Sequence, residues 1–508
     1  MDAEKIGKVI LELRKHNKWT QLQFAEKLNV SDKAVSKWEL GASIPDIQQL
    51  ESITKMFNIS YDLLLSGDVD RVKLQLVQQE PVVQKLTTRE KFNPTEWYSL
   101  DNAAKVYPPQ SSSDWNMVFR IAAVMKDPID KDILNQALLD MVDRMPTFMV
   151  TIKKGFFWYY FERVEKNPKV LDGGKYPCRS INLDGKNYLF RVLVENNRIA
   201  CDFFHSLTDG TGGTIFLTTL ITRYYELKYG SIKDYKCALN VLDKVKEEEI
   251  QDSFDHYATK GNCIKREIKH AYHIKDKYTK ESVVTHVVMD ANELKALAKK
   301  FNCTVTVFLT AVYSMAFLRR RAFDRDTKPY IIQIPINLRK RFPSETLRNF
   351  AYFTGIEINE MELSLEETIK TVKEQLEKGT DMDYLQKSIN ANMRDERNLF
   401  IRMAPIFLKD IALKIVSGTL GEEGFTTVFS NVGNLNAPDE LKSIVDRFEF
   451  VLKDDRSGGI SMSGITFNNK CVISFIRSVE RSSIERDFVR ELTSLGLNIY
   501  VEGNGGVQ

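Results

Sequence analysis

Apolar positions near the start of the chain fall at helical spacing. Ile6, Val9, Ile10 and Leu13 recur every three or four residues, the stripe that one face of an α-helix buries. Thr20 is placed to N-cap "QLQFAEKL", "NVS" makes a tight turn, and Asp32 starts "KAVSKWEL". "GASIP" breaks the chain before "DIQQLESITKMF", capped at Asp46, and "SYDLLLSGD" closes the unit at Gly67. This pattern predicts an all-α head over residues 1–68. Residues 69–93 are Gln-rich, interrupted by proline and without sustained periodicity, and read as a linker with room for a short helix at its start.

Beyond residue 93, strand-like and helix-like segments alternate, which predicts an α/β or α+β body. "YLFRVLVENNRIACDFF" is a hairpin turning at "ENN", and "ISMSGITFNNKCVISFI" is a second, turning at "NN". "YIIQIPINL", "NFAYFTGIEI" and "TTVFSNVG" are further strands. "SLEETIKTVKEQLEK" opens with a capping box, Ser364 to Glu367, and carries helical charge spacing.

At 508 residues the chain is too long for one core, and its length suggests about three folding units. Hydrophobic residues make up 43% and charged residues 28%, which excludes global disorder. Net charge is only +3, so a nucleic-acid contact must come from a local patch. No apolar run reaches the ~18–20 residues of a spanning helix, and "MDAEKIGKV" lacks the pattern of a signal peptide. A cytoplasmic protein with no membrane partner is expected. Cysteines 178, 201, 237, 263, 303 and 471 stand singly, reading as thiols and not as a disulfide frame or zinc site. Histidines 16, 256, 270, 273 and 286 show no metal-ligand spacing, and no metal is expected. They read as surface or packing residues, with His273 of "AYHI" a candidate for the neighbourhood of a channel.

The stretch "TQLQFAEKLNVSDKAVSKWELGASIPDIQQLESITKMF" resembles the phage repressor-type (Cro/C1-like) helix-turn-helix family. The likeness includes the glutamines opening the second helix, the small Ala25, the "VS" turn and the "SKWE" end of the recognition helix. It implies a second helix set in the major groove of double-stranded DNA. By position, Ser31, Lys33, Ala34, Ser36 and Lys37 would face DNA, while Gln21 and Gln23 would anchor to phosphate or a base edge. Val35, Leu28 and Leu50 would be core, and Trp38 would either pack or touch DNA. Residues 1–68 hold nine Lys/Arg against ten Asp/Glu. Binding would therefore require Arg14, Lys15, Lys18, Lys33 and Lys37 to share one face, and a homodimer on an inverted repeat is expected. The alternative is a helical protein-interaction module.

His205 ends the apolar run "RIACDFF" and is followed by Asp209-Gly210 and by Gly212 and Gly213. A neutral imidazole with an ordinary pKa of about 6.5 suits proton abstraction near neutral pH, although most histidines do no chemistry. "EWYSLDNAAKVYPP", "RMPTFMVTIKKGFFWYYFE", "FHSLTDGTGG", "PINLRKRFPSETLRNF" and "TTVFSNVG" fall in the order seen in alcohol acetyltransferase-like proteins. These are members of the chloramphenicol acetyltransferase and condensation-domain superfamily. The resemblance implies an α/β two-lobed, CoA-dependent acyltransferase-like body, with lobes at 94–280 and 281–502 and a channel between them.

It further implies that His205, the histidine of H-x-x-x-D-G, is a general base that activates a small alcohol or amine acceptor. The acceptor would attack a coenzyme A thioester, the expected co-substrate, in an O- or N-acyl transfer. Ser430 or Asn431 would hold the oxyanion. Asp209 would be structural support, paired with Arg339 to brace the loop with Gly210 and Gly212. The run Arg339-Lys340-Arg341 could instead hold coenzyme A phosphates. Many relatives carry a second histidine where Phe204 stands here. Three functions follow: an acyltransferase that regulates its own expression, a regulator whose body is a non-catalytic acyl-CoA or small-molecule sensor, or an inert scaffold.

Overall fold

The computed structural model describes residues 2–16, 19–28, 30–57, 59–69, 71–72, 97–111, 117–174, 176–264, 269–416, 423–453 and 458–504. Two compact units make up the chain, Met1–Lys91 and Phe92–Gln508. Of the expected linker, residue 70 and residues 73–93 lie outside the described residues. At its start, Val72 is buried in the core of the first unit and Val69 packs against it.

The first unit is helical, with α1 (Ala3–His16), α2 (Gln21–Lys27), α3 (Asp32–Glu39), α4 (Ile47–Phe57) and α5 (Tyr61–Ser66), and residues 69, 71 and 72 are helical as well. Polar side chains start each of these five, Asp2 Oδ1 accepting from the Glu4 and Lys5 N–H groups at α1. Thr20 and Gln23 exchange capping hydrogen bonds at α2, as Asp46 and Gln49 do at α4. Ser31, and not Asp32, is the N-cap of α3, its hydroxyl accepting from the Ala34 N–H at 3.2 Å. Ser60 caps α5 in the same way. Ile6, Val9, Ile10 and Leu13 meet Phe24, Val35, Trp38 and Ile53 in one core. Gly7 lets α1 cross the end of α3, because a Cβ there would lie 2.2 Å from the Trp38 carbonyl oxygen.

The second unit is built on three sheets. Its strands are β1 (Trp97–Ser99), β2 (Val118–Met125), β3 (Val150–Lys154), β4 (Tyr159–Arg163), β5 (Val170–Asp172), β6 (Phe190–Glu195) and β7 (Arg198–Phe204). After them come β8 (Tyr278–Asp290), β9 (Tyr330–Asn337), β10 (Ala351–Ile358), β11 (Thr427–Asn434) and β12 (Val445–Val451). The last are β13 (Ile460–Phe467), β14 (Lys470–Val479) and β15 (Ile499–Gly503). A five-stranded sheet runs β12-β2-β7-β6-β5, a seven-stranded sheet β10-β9-β11-β13-β14-β8-β15, and a small one β1-β4-β3. The β6–β7 and β13–β14 hairpins turn at the expected asparagines, with Asn196, Asn468 and Asn469 at positive φ.

Strand β2, "VFRIAAVM", is buried along its whole length, with β7 on one side and β12 on the other. Strand β12 comes from far along the chain, yet it completes the first sheet and not the second. The apolar core around β2 accordingly reaches Ile465, Phe467, Val472 and Ile476 of β13 and β14. Helices α6 (Tyr107–Gln110), α7 (Lys131–Asp140) and α8 (Gly210–Tyr229) follow in the first half. Helices α9 (Val305–Phe323), α10 (Leu365–Gly379), α11 (Leu399–Met403) and α12 (Ile406–Val416) follow in the second. Ser364 and Glu367 form the capping box of α10.

Candidate active site and DNA-facing helix

His205 lies one residue past β7, and its N–H donates to the Met117 carbonyl at 2.8 Å, extending the ladder with β2. Residues 203 and 205 share a face of the strand, so the ring follows Phe203 toward the aromatic layer under α8. Tyr107 of α6 stacks on the imidazole at 4.4 Å and 13°, and Phe119 meets it edge-on at 5.1 Å. The residue is half-buried. Nδ1 is sealed and makes no hydrogen bond among the described residues. Burial lowers the pKa below 6.5, partly offset by the residue's own backbone carbonyl and by Asp209. At neutral pH the ring is uncharged, the form that can accept a proton.

Asp209 N-caps α8, with Oδ1 accepting from the Thr211 and Gly212 N–H groups at 3.0 Å each. Oδ2 accepts from Arg339 Nη1 at 2.7 Å and from the Phe350 N–H at 2.8 Å. Arg339 follows β9, and its other nitrogens donate to the carbonyls of Thr346 at 3.0 Å and Arg348 at 2.5 Å. Asp209 is buried and the Arg339 side chain is about one tenth exposed, and no hydrogen bond joins Asp209 to His205. Asn337 adds a bond to the Thr211 hydroxyl at 3.0 Å. At Gly212 a Cβ would lie 2.1 Å from Thr208 Oγ1 and 2.3 Å from the Leu347 carbonyl, so only glycine fits there. Gly210 has room, since its nearest neighbour would be the Phe450 ring at 3.5 Å.

Ser430 and Asn431 lie on β11, and neither bonds to His205 or Asp209. The Asn431 amide is occupied, donating to Thr306 Oγ1 at 3.1 Å and accepting from the Gly433 N–H at 2.9 Å. The half-buried Ser430 hydroxyl carries no hydrogen bond among the described residues. The next residue but one, Val432, would stand 3.9 Å from a Cβ at Gly210, which brings β11 alongside the motif.

Three contributors were not singled out in the sequence. Tyr107 sits in "VYPP" with nothing local to mark it as the partner of a ring almost a hundred residues away. Asn349 donates to the Ser206 carbonyl at 3.2 Å, and its amide stabilises protonated His205 and ionised Asp101. Asp101 is fully buried beside Arg348, and burial raises its pKa to about 6.

In the first unit, Ser31, Lys33 and Lys37 are exposed on α3, Ala34 and Ser36 are half-buried, and Val35 and Trp38 face the core. Lys15 is also exposed, while Lys18 lies outside the described residues. Arg14 departs from the expected set of DNA-facing cations. Its guanidinium grips Glu39 through Nε–Oε1 at 2.5 Å and Nη2–Oε2 at 3.0 Å, and Nη1 donates to the Trp19 carbonyl at 2.7 Å. Gln21 Nε2 joins the same carboxylate at 2.7 Å, and the Gln23 carbonyl oxygen caps α2. A buried carboxylate drew these groups inward, a long-range pairing that local pattern does not display.

Residues 10–64 match the helix-turn-helix family. The HTH-type transcriptional activator BcrR of Enterococcus faecalis is 46% identical over 57 residues, 11% of this chain and 28% of that protein. DicA of Escherichia coli, an HTH-type transcriptional regulator, is 36% identical over 80 residues, 16% of this chain and 55% of that protein. The chain thus spans about a quarter to just over half the length of the curated relatives it matches. Among solved structures, polyketide synthase associated protein 5 from Mycobacterium tuberculosis superposes with a TM-score of 0.51 at 12% identity, over 78% of this chain and 97% of that one. The starter condensation domain of rhizomide synthetase RzmA, solved in complex with C8-CoA and Leu-SNAC, gives 0.51 at 12% identity, over 79% and 94%. The chain therefore carries a helix-turn-helix domain at residues 10–64, followed by a body that shares the fold of the RzmA condensation domain and of polyketide synthase associated protein 5.

Proposed function

We propose that the body transfers an acyl group from coenzyme A to a small alcohol or amine, and that the head binds double-stranded DNA as a homodimer in the cytoplasm and regulates expression. The observation that carries the reading is His205: a neutral imidazole with one nitrogen sealed, fixed between two aromatic rings at a strand end. His205 Nε2 takes the acceptor's proton as the acceptor oxygen or nitrogen bonds to the thioester carbonyl carbon. The C–S bond then breaks, and the imidazolium returns the proton to the departing thiolate. Such a base contributes about 10²–10⁴-fold. Of the two oxyanion candidates Ser430 is taken here, because the Asn431 side chain is already bonded. On the head, the exposed Ser31, Lys33 and Lys37, with Ala34 and Ser36 beside them, form the DNA-facing surface, and Gln21 and Gln23 lie at its edge.

The test is acceptor-dependent release of coenzyme A from a panel of acyl-CoAs, with His205→Ala as control. Release that the variant loses supports the enzyme. Saturable acyl-CoA binding without release, coupled to a change in DNA affinity, supports a ligand-sensing regulator. The fusion to a helix-turn-helix head is the observation that favours that second reading.

A further inference from the structure

Helix α12, "IFLKDIALKIV", is mounted inside out. A surface helix normally buries its apolar stripe and exposes its polar one. Here the polar residues face the body. Lys409 Nζ donates to the carbonyls of Phe157 at 2.9 Å and Arg402 at 3.1 Å, and lies 3.3 Å from the centre of the Trp158 ring. Asp410 accepts from Lys154 at 2.8 Å and from Tyr159 at 3.0 Å. The apolar side points outward: Phe407 and Ile411, one turn apart, are each 56% exposed. Helix α11 adds Phe400, 87% exposed, with Leu399 and Met403, and the β3–β4 turn adds Phe156, 70% exposed. The Ile406 N–H donates to the Phe156 carbonyl at 2.9 Å, so turn and helices form one surface.

Exposed apolar area of this extent marks an interaction site. Its charges indicate the partner. Residues 398–416 carry the exposed Arg402 and Lys414, and their one acid, Asp410, is neutralised by Lys154. Phe156 itself follows Lys153-Lys154-Gly155. Aromatic and aliphatic side chains on a face rimmed by cations are the composition that seats a helix in the headgroup layer of an anionic bilayer. We infer that α11, α12 and the β3–β4 turn dock on an anionic lipid surface. Helix α12 packs on α6, which carries Tyr107, so docking places the surroundings of His205 at the lipid boundary. The expectation of no membrane partner rested on the lack of a spanning run, and among the described residues no single helix is long and apolar enough to cross a bilayer. A peripheral contact needs none.

The test is sedimentation of the full chain with vesicles of phosphatidylcholine containing about one third phosphatidylglycerol. Phe156→Ser/Phe400→Ser/Phe407→Ser, all at exposed positions, is compared with wild type, and circular dichroism checks that the variant folds. The expected result is binding that weakens as salt rises and falls about tenfold or more in the variant. His205→Ala should bind like wild type, so a failure of the catalytic reading would leave this inference standing. Wild type that stays in the supernatant, or a variant that sediments equally, overturns it. So does a wild-type dimer that the variant splits without any vesicle binding, which would give the face to a second copy of the chain.

Discussion

Asp209→Ala removes two things at once from the fold. It deletes the cap of α8, with its two backbone hydrogen bonds, an effect of about 1 kcal/mol. It also leaves the mostly buried Arg339 guanidinium facing the Phe350 N–H with no negative charge between them, which costs about 3–5 kcal/mol. The two overlap, so about 4 kcal/mol is expected in all. With a urea slope of about 3 kcal/mol/M, the unfolding midpoint of the second unit should fall by about 1 M, followed by circular dichroism on the full chain. His205→Ala leaves no buried charge unpaired and should keep the wild-type midpoint. Combining Asp209→Ala with Arg339→Met should cost about 2 kcal/mol less than the two singles added, because no orphaned charge remains. Additive costs, or a midpoint for Asp209→Ala equal to that of His205→Ala, would refute the division of labour between brace and base.

Other outcomes follow from the same geometry. Coenzyme A release should hold steady at neutral pH and fall in acid with a half-point below 6.5, since burial lowers the His205 pKa and only the neutral ring is active; a half-point above 7 would contradict this. The same shift means the unfolded chain binds the proton more readily, so this residue's contribution makes stability drop as pH falls from 6.5 toward the folded pKa. Gly212→Ala should destabilise the loop and abolish turnover, whereas Gly210→Ala should be tolerated, and wild-type kinetics for both would show that the close approach at 212 relaxes freely. Lys33→Ala should lower the slope of log affinity for DNA against log salt by about one, measured by fluorescence anisotropy, and an unchanged slope would remove Lys33 from the phosphate contacts.

Local chemistry was legible in the sequence where neighbouring residues complete it. Asn196 and Asn468-Asn469 turn their hairpins because asparagine tolerates positive φ, and Ser364 with Glu367 forms its capping box within one helical turn. The helices of the head follow from apolar spacing alone. What stayed hidden joins residues far apart. Arg14 and Glu39 are 25 residues apart, and nothing in either segment announces the pair that withdraws Arg14 from the expected set of DNA-facing cations. Asp209 and Arg339, 130 residues apart, were matched only through resemblance to a family. Tyr107 and Asn349 reach His205 through tertiary packing, on which hydrophobic periodicity is silent.

The crossing of β12 has a consequence for how the protein is made. A ribosome emits β2, β6 and β7 long before residues 445–451 exist. Until then the apolar strand β2 is an open edge, its backbone donors and acceptors free to pair with any passing strand. Most of the chain must be synthesised before the first sheet is closed. Nascent chains, or any truncated before residue 445, would carry that edge unprotected and open to pairing with another chain.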